Sequence, residues 1–213
     1  MKIFEISLHN HTRNLTLESL DLKWYKSYYG TEPKGSFNII PGLGNGGGNY
    51  GVKVVFPDGK EAMYAIMQTS VIDSTNIPVY DVSFNLPTLI HEFNHSYVND
   101  IQKKYEKELE NSGAKLYGLV SEAMRRMAYA EWKTMLNEAL VRASVVRYLM
   151  NHNSDMAVAK KQLMAEYGRG FFWIKDLVDC LGEYEKNRDK YPTLESYMPV
   201  IIYFYNGVAT TLI

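Results

Sequence analysis

The sequence is poor in cysteine, with Cys180 as the single example among 213 residues. This scarcity excludes an intramolecular disulfide framework and any cysteine-rich zinc or iron–sulfur site, although it does not identify the redox compartment. A chain of this length can bury a sizeable core without covalent cross-links. We therefore expect an ordinary globular domain, in keeping with 46% hydrophobic and 22% charged residues.

An excess of positive charge is missing as well. Lys and Arg together number 23, against 24 for Asp and Glu, which gives a formal net charge of -1. Clustered basic residues occur only as short pairs such as Lys103-Lys104 and Arg125-Arg126. The electrostatic footprint of a protein that binds a nucleic-acid backbone is therefore absent, and we expect no nucleic-acid partner.

No stretch approaches the roughly 18 to 20 consecutive apolar residues that are needed to cross a bilayer. The densest run, residues 139–150, is interrupted by Arg142 and Arg147. The N-terminus, MKIFEISLHNH, has neither a long apolar segment nor a small-residue cleavage site, so it does not read as a secretory signal. A chain whose leader had been removed would look the same. We expect no membrane span and leave export open.

Strand-like patterns dominate residues 1–82, and helical periodicity dominates residues 83–213. We expect a single α+β domain over residues 1–213, because no linker separates two independent parts. Residues 2–11 alternate as a short strand, and the apolar spacing around Trp24 predicts a short helix that stops at Gly30 and Pro33. Longer helices are expected at about 85–110, 114–150 in one or two pieces, 155–184 and 194–212, with breaks at Gly113, 151–154, 168–170 and 191–192.

A β-hairpin is the clearest unit of the N-terminal part. Residues 50–56 and 62–67 are β-rich and are joined by Pro57-Asp58-Gly59-Lys60, in which Asp-Gly favours a tight turn. The glycine-rich stretch 41–51 precedes it. This stretch lacks a Gly-Lys-Ser/Thr ending and leads into a strand, so a phosphate-binding loop is disfavoured. We interpret it as a flexible loop, whose functional version is a flap beside a substrate cleft.

Residues 91–95 read His-Glu-Phe-Asn-His. In an HExxH pattern, two imidazoles one helical turn apart bind zinc, and the intervening Glu serves as the base. We therefore expect Zn²⁺ as the cofactor, His91 and His95 as metal ligands, and Glu92 as the catalytic residue. The alternative is that His91 and His95 are surface or hydrogen-bonded histidines. His9 and His11 fit such a structural role better, because no third ligand lies near them in sequence.

The helical context favours the metal site. At about 100° per residue, His91 and His95 lie within about 40° of each other, with Glu92 at the border of the same face. Apolar side chains occupy the other face, as in a helix at the floor of a cleft. Pro87 is expected in the first turn, where its missing amide donor costs little. The apolar stripe comprises Leu86, Leu89, Ile90, Phe93, Tyr97 and Ile101.

A hydrolytic zinc site normally takes three protein ligands and one water. Val98 and Ile101 stand where HExxHxxGxxH requires Gly and His, which excludes the metzincin arrangement. Asp100 lies about 140° from His95 around the helix and would not reach the metal. We therefore expect the third ligand to be a carboxylate from a later helix.

Two acids are candidates for this ligand, Glu138 and Glu122. We prefer Glu138, because it interrupts an otherwise apolar helical stretch, where a charge is costly without a partner such as a cation. Arg142 follows one turn later and offers the alternative of a routine helical ion pair. Glu122 stays the second choice.

The segments HEFNH and NEALVRA resemble the gluzincin group of zinc metallopeptidases, in which a Glu on a second helix completes HExxH. Over the longer runs LPTLIHEFNHSYVN and NEALVRASVVRYL, the chain also resembles a bacterial domain-of-unknown-function family that carries HExxH. The resemblance implies a zincin-like α+β fold, with a small N-terminal antiparallel sheet or hairpin packed on a mainly helical part that contains the HExxH helix. It also implies His91, His95 and Glu138 as ligands, with Glu92 as general base and acid.

Further implications concern the surroundings of the site. The hairpin of residues 50–67 would lie over the cleft and form backbone hydrogen bonds with an extended peptide. Arg142 stands where thermolysin-like gluzincins have an Asp that supports a zinc-bound His, so the surrounding hydrogen bonds must be built differently. The resemblance favours a bacterial protein acting outside the cytoplasm, secreted, periplasmic or at the cell surface.

We expect a zinc-dependent metallopeptidase whose partner is a peptide or protein substrate. Glu92 would take a proton from the zinc-activated water and return it to the leaving amine. Tyr191, Tyr197 and Tyr203 are candidates by position for a further oxyanion donor. The alternative is a catalytically inactive zincin-fold binding protein that recognises a protein or a glycan. The sequence leaves the oligomeric state open.

Overall fold

The computed structural model describes residues 20–32, 35–45, 47–69, 71–76, 78–80, 82–152 and 156–211. The strand predicted for residues 2–11, with His9 and His11, lies outside these ranges. The described residues form two compact units. The first contains the residues up to Ser27 and from Thr31 to Tyr97, and the second contains Tyr28–Gly30 and the residues from Val98 onward.

Helices predominate, and a small sheet lies towards the N-terminus, so the fold belongs to the α+β class. A single domain over residues 1–213 stays a prediction. Among the described helices, none is long and apolar enough to cross a membrane. The helices are α1 Leu22–Tyr29, α2 Val82–Lys104, α3 Glu106–Arg126, α4 Trp132–His152, α5 Ala157–Gly168, α6 Ile174–Lys186 and α7 Leu194–Thr211. The strands are β1 Gly35–Gly42, β2 Tyr50–Val55, β3 Glu61–Gln68, β4 Val71–Ile72 and β5 Pro78–Val79.

A three-stranded sheet in the order β1-β3-β2 organises the first unit. The predicted hairpin is confirmed: β2 and β3 pair antiparallel, and Gly59 in their connecting turn has a φ of 78°. Strand β1, which the sequence did not predict, pairs parallel with β3 and places Phe37 opposite Met63. The sheet is therefore mixed: the hairpin part of the expected antiparallel sheet or hairpin is present, and the parallel strand β1 corrects the expectation of an antiparallel sheet. Strands β4 and β5 form a separate antiparallel pair.

An aromatic cluster connects α1, β1 and α2 within the first unit. The ring of Phe37 lies 5.2 Å from that of Tyr25 and 5.0 Å from that of Phe93, measured between centroids. Leu89, Ile90 and Phe93 of the predicted apolar stripe are fully buried. Since buried aromatic and aliphatic side chains dominate the energetics of a core, this contact fixes one face of α2 against the sheet.

Helix α2 has different ends from those predicted. It begins at Val82, before the expected start near Asn85, so Pro87 lies beyond the first turn and removes an amide donor from the helical ladder. The expectation that Pro87 occupies the first turn is therefore wrong. The helix also ends at Lys104, because Tyr105 leaves the helical conformation with φ -115° and ψ 16° before α3 begins.

Helix α4 is the centre of the second unit. It packs against α3, α5 and α6, while α7 packs against α3 and α6. The residues of α4 between Met135 and Leu149 are buried on most sides of the helix, including the charged Glu138. The apolar helical stretch predicted around Glu138 is therefore confirmed.

The helix break expected at Gly113 is wrong. Helix α3 runs through this glycine, and a Cβ atom there would lie 2.5 Å from the indole of Trp132. The glycine therefore permits close packing of α3 on α4 instead of ending a helix. The chain reverses later, at Ala128, which has a φ of 64°. The breaks near residues 168–170 and 191–192 are confirmed. Helix α4 continues to His152, and the rest of the break expected at 151–154 lies outside the described residues.

Candidate metal centre

Helix α2 brings His91 and His95 together on one side. Their Nε2 atoms lie 3.2 Å apart, and their ring centroids are separated by 4.8 Å with the planes at 81°. Both side chains are half-buried. The separation of four residues produces this arrangement, because residues i and i+4 project from the same face of a helix.

The spacing of the two nitrogens fits a shared metal ion. Two nitrogen ligands about 2.0–2.1 Å from a tetrahedral zinc lie about 3.4 Å from each other, and the Nε2 atoms are 3.2 Å apart. The same distance also suits a hydrogen bond in which one imidazole donates to the other. In both cases the two ring nitrogens are close enough to be ligands of one cation.

Glu92 contributes a carboxylate to this cluster. One ligand atom each from His91, Glu92 and His95 lies within 4.8 Å of the other two. Glu92 is only 6% exposed. Burying a carboxylate is costly unless hydrogen-bond donors or a positive charge accompany it. A buried acid beside two imidazoles therefore completes a group of ligand atoms that could hold a cation.

Strand β2 lies directly against the helix at this point. A Cβ atom on Gly51 would come within 2.0 Å of the backbone oxygen of Glu92 and 2.8 Å of its carbonyl carbon. Sequence reasoning placed Gly51 at the end of a flexible loop of residues 41–51. The structure corrects this: Pro41 and Gly42 belong to β1, Tyr50 and Gly51 belong to β2, and the connection is residues 43–49. Residue 46 of that connection lies outside the described ranges.

The residues that follow the HExxH motif on α2 are buried or exposed according to their apolar or charged character. Val98 and Ile101, which stand where metzincins have Gly and His, are buried. Asp100, which was rejected as a ligand, is exposed. The stretch of α2 around the imidazoles is otherwise buried, including the polar Asn94 and Ser96.

Glu138 lies on α4 in the second unit and is 8% exposed. The hydroxyl of Tyr129 donates a hydrogen bond of 2.8 Å to its Oε2 atom. The Nη2 atom of Arg142 lies 3.0 Å from the same oxygen. The helical ion pair with Arg142, the alternative role of Glu138, is therefore present. The same carboxylate oxygen also accepts a hydrogen bond from the Tyr129 hydroxyl.

Arg142 also binds a second carboxylate. Its Nη1 atom donates to Oε2 of Glu166 at 2.9 Å, and Glu166 is only 1% exposed. Burial alone would lower the pKa of the Arg142 guanidinium, but the charges of Glu166 and Glu138 raise it above its ordinary value. Arg142 therefore stays charged and forms ion pairs with two buried acids, Glu138 and Glu166.

The hydroxyl of Tyr129 forms hydrogen bonds with both Glu138 and Arg142. Arg142 Nη2 donates to the Tyr129 hydroxyl at 2.7 Å. Burial raises the pKa of Tyr129 to about 12, and the charge of Glu138 acts in the same direction. The hydroxyl is therefore protonated at neutral pH and donates to Glu138. Sequence reasoning missed Tyr129 and Glu166, because neither has a local pattern that marks it as a neighbour of Glu138.

The second choice for a third ligand, Glu122, has a different environment. Its side chain is 85% exposed, and it pairs with Arg126 on the same face of α3 at 2.5 Å. This is an ordinary surface pair of the i, i+4 type. Glu138 is therefore the buried carboxylate of the two.

The three tyrosines considered as oxyanion donors all lie in the second unit. The hydroxyl of Tyr197 is already engaged as the donor of a 3.0 Å hydrogen bond to the backbone oxygen of Cys180. The ring of Tyr191 packs edge-on against that of Tyr197, and Tyr203 is 79% exposed on α7. These contacts give Tyr197 a structural role in the helical core.

Comparison with known proteins gives a family but no relative of established activity. The family model described as Domain of unknown function (DUF4932) matches residues 10–204. Neither the curated proteins nor the solved structures contain a match to the chain. Because the matched region spans most of the sequence, the chain belongs to the DUF4932 family.

Proposed function

We propose that this protein is a zinc-dependent metallopeptidase of the gluzincin type, with His91, His95 and Glu138 as the metal ligands and Glu92 as the general base. The observation that carries the proposal is the separation of 3.2 Å between the two imidazole Nε2 atoms beside a buried carboxylate. A zincin-like fold is part of the same proposal.

A bound Zn²⁺ would polarise a carbonyl oxygen and make water a stronger acid and nucleophile near neutral pH. The imidazoles of His91 and His95 supply neutral nitrogen ligands, which zinc accepts readily. Glu92 accepts the proton of the attacking water and delivers it to the leaving amine. Its position next to His91 on the same helix keeps its carboxylate within the cluster, as a general base requires.

Glu138 is the proposed third ligand for chemical reasons. A carboxylate completes two imidazoles in many catalytic zinc sites. Glu138 is buried in the core helix of its unit, and its charge is costly there unless cations are close. Both acids are paired with an arginine, Glu138 with Arg142 and Glu122 with Arg126, but Glu122 is 85% exposed, so burial gives it no comparable need for a cation.

One observation favours the alternative of a binding protein without turnover. Strand β2 exposes a row of apolar side chains, with Tyr50 50% and Val52 40% exposed. Exposed apolar surface of this kind often marks contact with another molecule. A catalytically inactive zincin-fold protein that recognises a protein or a glycan would use such a surface.

The proposal is tested by measuring zinc content and peptide hydrolysis together. Wild-type protein and Glu92→Gln are loaded with one equivalent of Zn²⁺ and incubated with a diverse peptide library, and cleavage is followed by mass spectrometry. We expect both proteins to bind zinc. The substitution should lower the rate of cleavage by about 10²- to 10⁴-fold, the range for loss of general acid–base catalysis.

Glu122→Gln is the matched control, because it makes the same chemical change at an exposed acid on α3. It should retain wild-type cleavage. Zinc binding without cleavage by the wild type would favour the binding protein. Equal cleavage by wild type and Glu92→Gln would refute the role of Glu92.

A further inference from the structure

We infer that strand β2 is a dimerisation surface, where β2 of a second copy of this chain adds in antiparallel orientation and the two Val52 residues lie opposite each other. The inference concerns the first unit alone. It depends neither on a bound metal nor on the proposed function.

Strand β2 is an edge strand that is open to a further chain. Among the described residues it pairs with β3 alone. The other edge strand, β1, contains Pro41, which lacks an amide donor, and its residues are buried or half-buried. In β2, by contrast, four of the six residues are exposed. Since an exposed edge strand can pair with a strand of another molecule, β2 is the edge that a second copy can reach.

The hydrogen bonds of the hairpin determine which residues of β2 can bind a second strand. The Phe56 N–H donates to the carbonyl oxygen of Lys60 at 2.8 Å, in the same register as the β2–β3 pairing. Hydrogen-bonded pairs alternate along an antiparallel ladder. Val52 therefore directs its N–H and C=O groups to β3, whereas Gly51 and Lys53 direct theirs to the outer edge of the sheet.

A two-fold axis at Val52 gives a self-complementary register. Gly51 of each copy then lies opposite Lys53 of the other copy, in a hydrogen-bonded pair, and Tyr50 lies opposite Val54. Pairs of an aromatic and a β-branched residue stabilise an antiparallel sheet, whereas like charges directly opposite each other destabilise it. In this register each lysine faces a glycine, so the two positive charges do not oppose each other.

The side chains that would meet are uncharged and exposed. Tyr50, Val52 and Val54 follow one another on the same face of the strand, with exposed fractions of 50%, 40% and 37%. The contact involves the six residues of β2 in each copy, against about 20 to 30 residues per partner in a standard stable interface. The dimer is therefore weak, and its population depends on the protein concentration.

The test is sedimentation of the full chain without added metal, from about 1 μM to about 1 mM, the range of dissociation constants of weak complexes. The wild type should change from the mass of one chain to that of two as the concentration rises. Val52→Lys and Val52→Glu should each raise the dissociation constant of the dimer by about tenfold or more, because like charges then lie opposite each other. An equimolar mixture of the two variants should dimerise again.

Val158→Lys is the matched control. Val158 lies on α5 in the second unit and is 45% exposed, so the same chemical change is made at a similarly exposed valine away from β2. This variant should dimerise like the wild type. Circular dichroism checks that each variant is folded.

Val52→Cys tests the register directly and serves if the charged variants are poorly folded. The Cα atoms of a non-hydrogen-bonded pair lie about 4.5 Å apart, which permits a disulfide. Oxidation should therefore link two copies of Val52→Cys. Val54→Cys, which also retains Cys180, should not cross-link, because its two cysteines would be four residues apart along the strands, about 14 Å.

The inference is supported by a wild-type dimer that Val52→Lys weakens, that Val158→Lys leaves unchanged, and that the mixture of oppositely charged variants restores. A wild type that stays monomeric over the whole range overturns it. Unchanged dimerisation in Val52→Lys, or equal cross-linking of Val52→Cys and Val54→Cys, also overturns it. None of these measurements involves zinc or peptide cleavage, so the proposed function is tested separately.

Discussion

Gly51 of strand β2 lies against the backbone of Glu92, so closely that a Cβ atom on the glycine would be 2.0 Å from the Glu92 carbonyl oxygen. The contact joins the sheet of the first unit to the helix that carries both imidazoles. No atom of a larger side chain fits between them. The position of the acid in the cluster therefore depends on a residue without a side chain in the neighbouring strand.

Gly51→Ala should displace β2 from α2 or shift the helix at Glu92. We expect a loss of about 1–3 kcal/mol in the free energy of unfolding, the usual cost of overpacking, together with weaker zinc binding. Chemical denaturation and zinc titration measure the two effects. Gly44→Ala is the control in the same unit, since a Cβ atom there would have nothing within 4 Å. Equal stability of the two variants would contradict the close packing.

A second pair of glycines tests the packing of α3. Gly113 and Gly118 both lie inside this helix, where alanine is ordinarily favoured over glycine by about 1 kcal/mol. A Cβ atom at Gly118 would have nothing within 4 Å, but one at Gly113 would lie 2.5 Å from the Trp132 ring. Gly118→Ala should therefore stabilise the protein and Gly113→Ala destabilise it, as measured by thermal unfolding. Stabilisation by both substitutions would show that α3 does not pack on Trp132.

The buried tyrosines predict the response of the protein to alkaline pH. Burial raises the pKa of Tyr28 and of Tyr205 above the ordinary tyrosine value of about 10. Their folded pKa exceeds the unfolded one, so their contribution to stability is complete below about pH 10 and is lost as the pH rises towards the folded pKa.

This loss should make the protein unfold in alkali in a single cooperative step. Phenolate absorbance should show exposed tyrosines ionising near pH 10, followed by a second phase that coincides with the loss of circular dichroism. Ionisation of every tyrosine in one step near pH 10, with the dichroism unchanged, would contradict the burial of Tyr28 and Tyr205.

The parts of the fold that follow local rules could be predicted from the sequence. The Asp58-Gly59 turn predicted the β2–β3 hairpin, because the positive φ that such a turn needs is supplied by the glycine itself. The four-residue spacing of His91 and His95 predicted their convergence, since it needs only that the segment be a helix. Helix α4 was predicted from its apolar composition, although its periodicity does not reveal that it is buried on most sides.

The parts that depend on distant residues could not be predicted. Strand β1 pairs in parallel with β3, and no pattern within residues 35–42 indicates that pairing. Gly113 resembles a helix break in the sequence, because the Trp132 indole that requires a glycine there comes from the next helix. The shared contacts of Arg142 likewise depend on Glu166 from α5 and on the turn at Tyr129, which spacing along α4 does not reveal.

Equilibrium dialysis against Zn²⁺, followed by metal analysis, tests whether His91 and His95 bind one divalent ion. We expect one zinc per wild-type chain and almost none in the His91→Asn, His95→Asn double variant, with both proteins folded by circular dichroism. Wild-type protein that retains no zinc, or a double variant that retains as much as the wild type, would contradict the account.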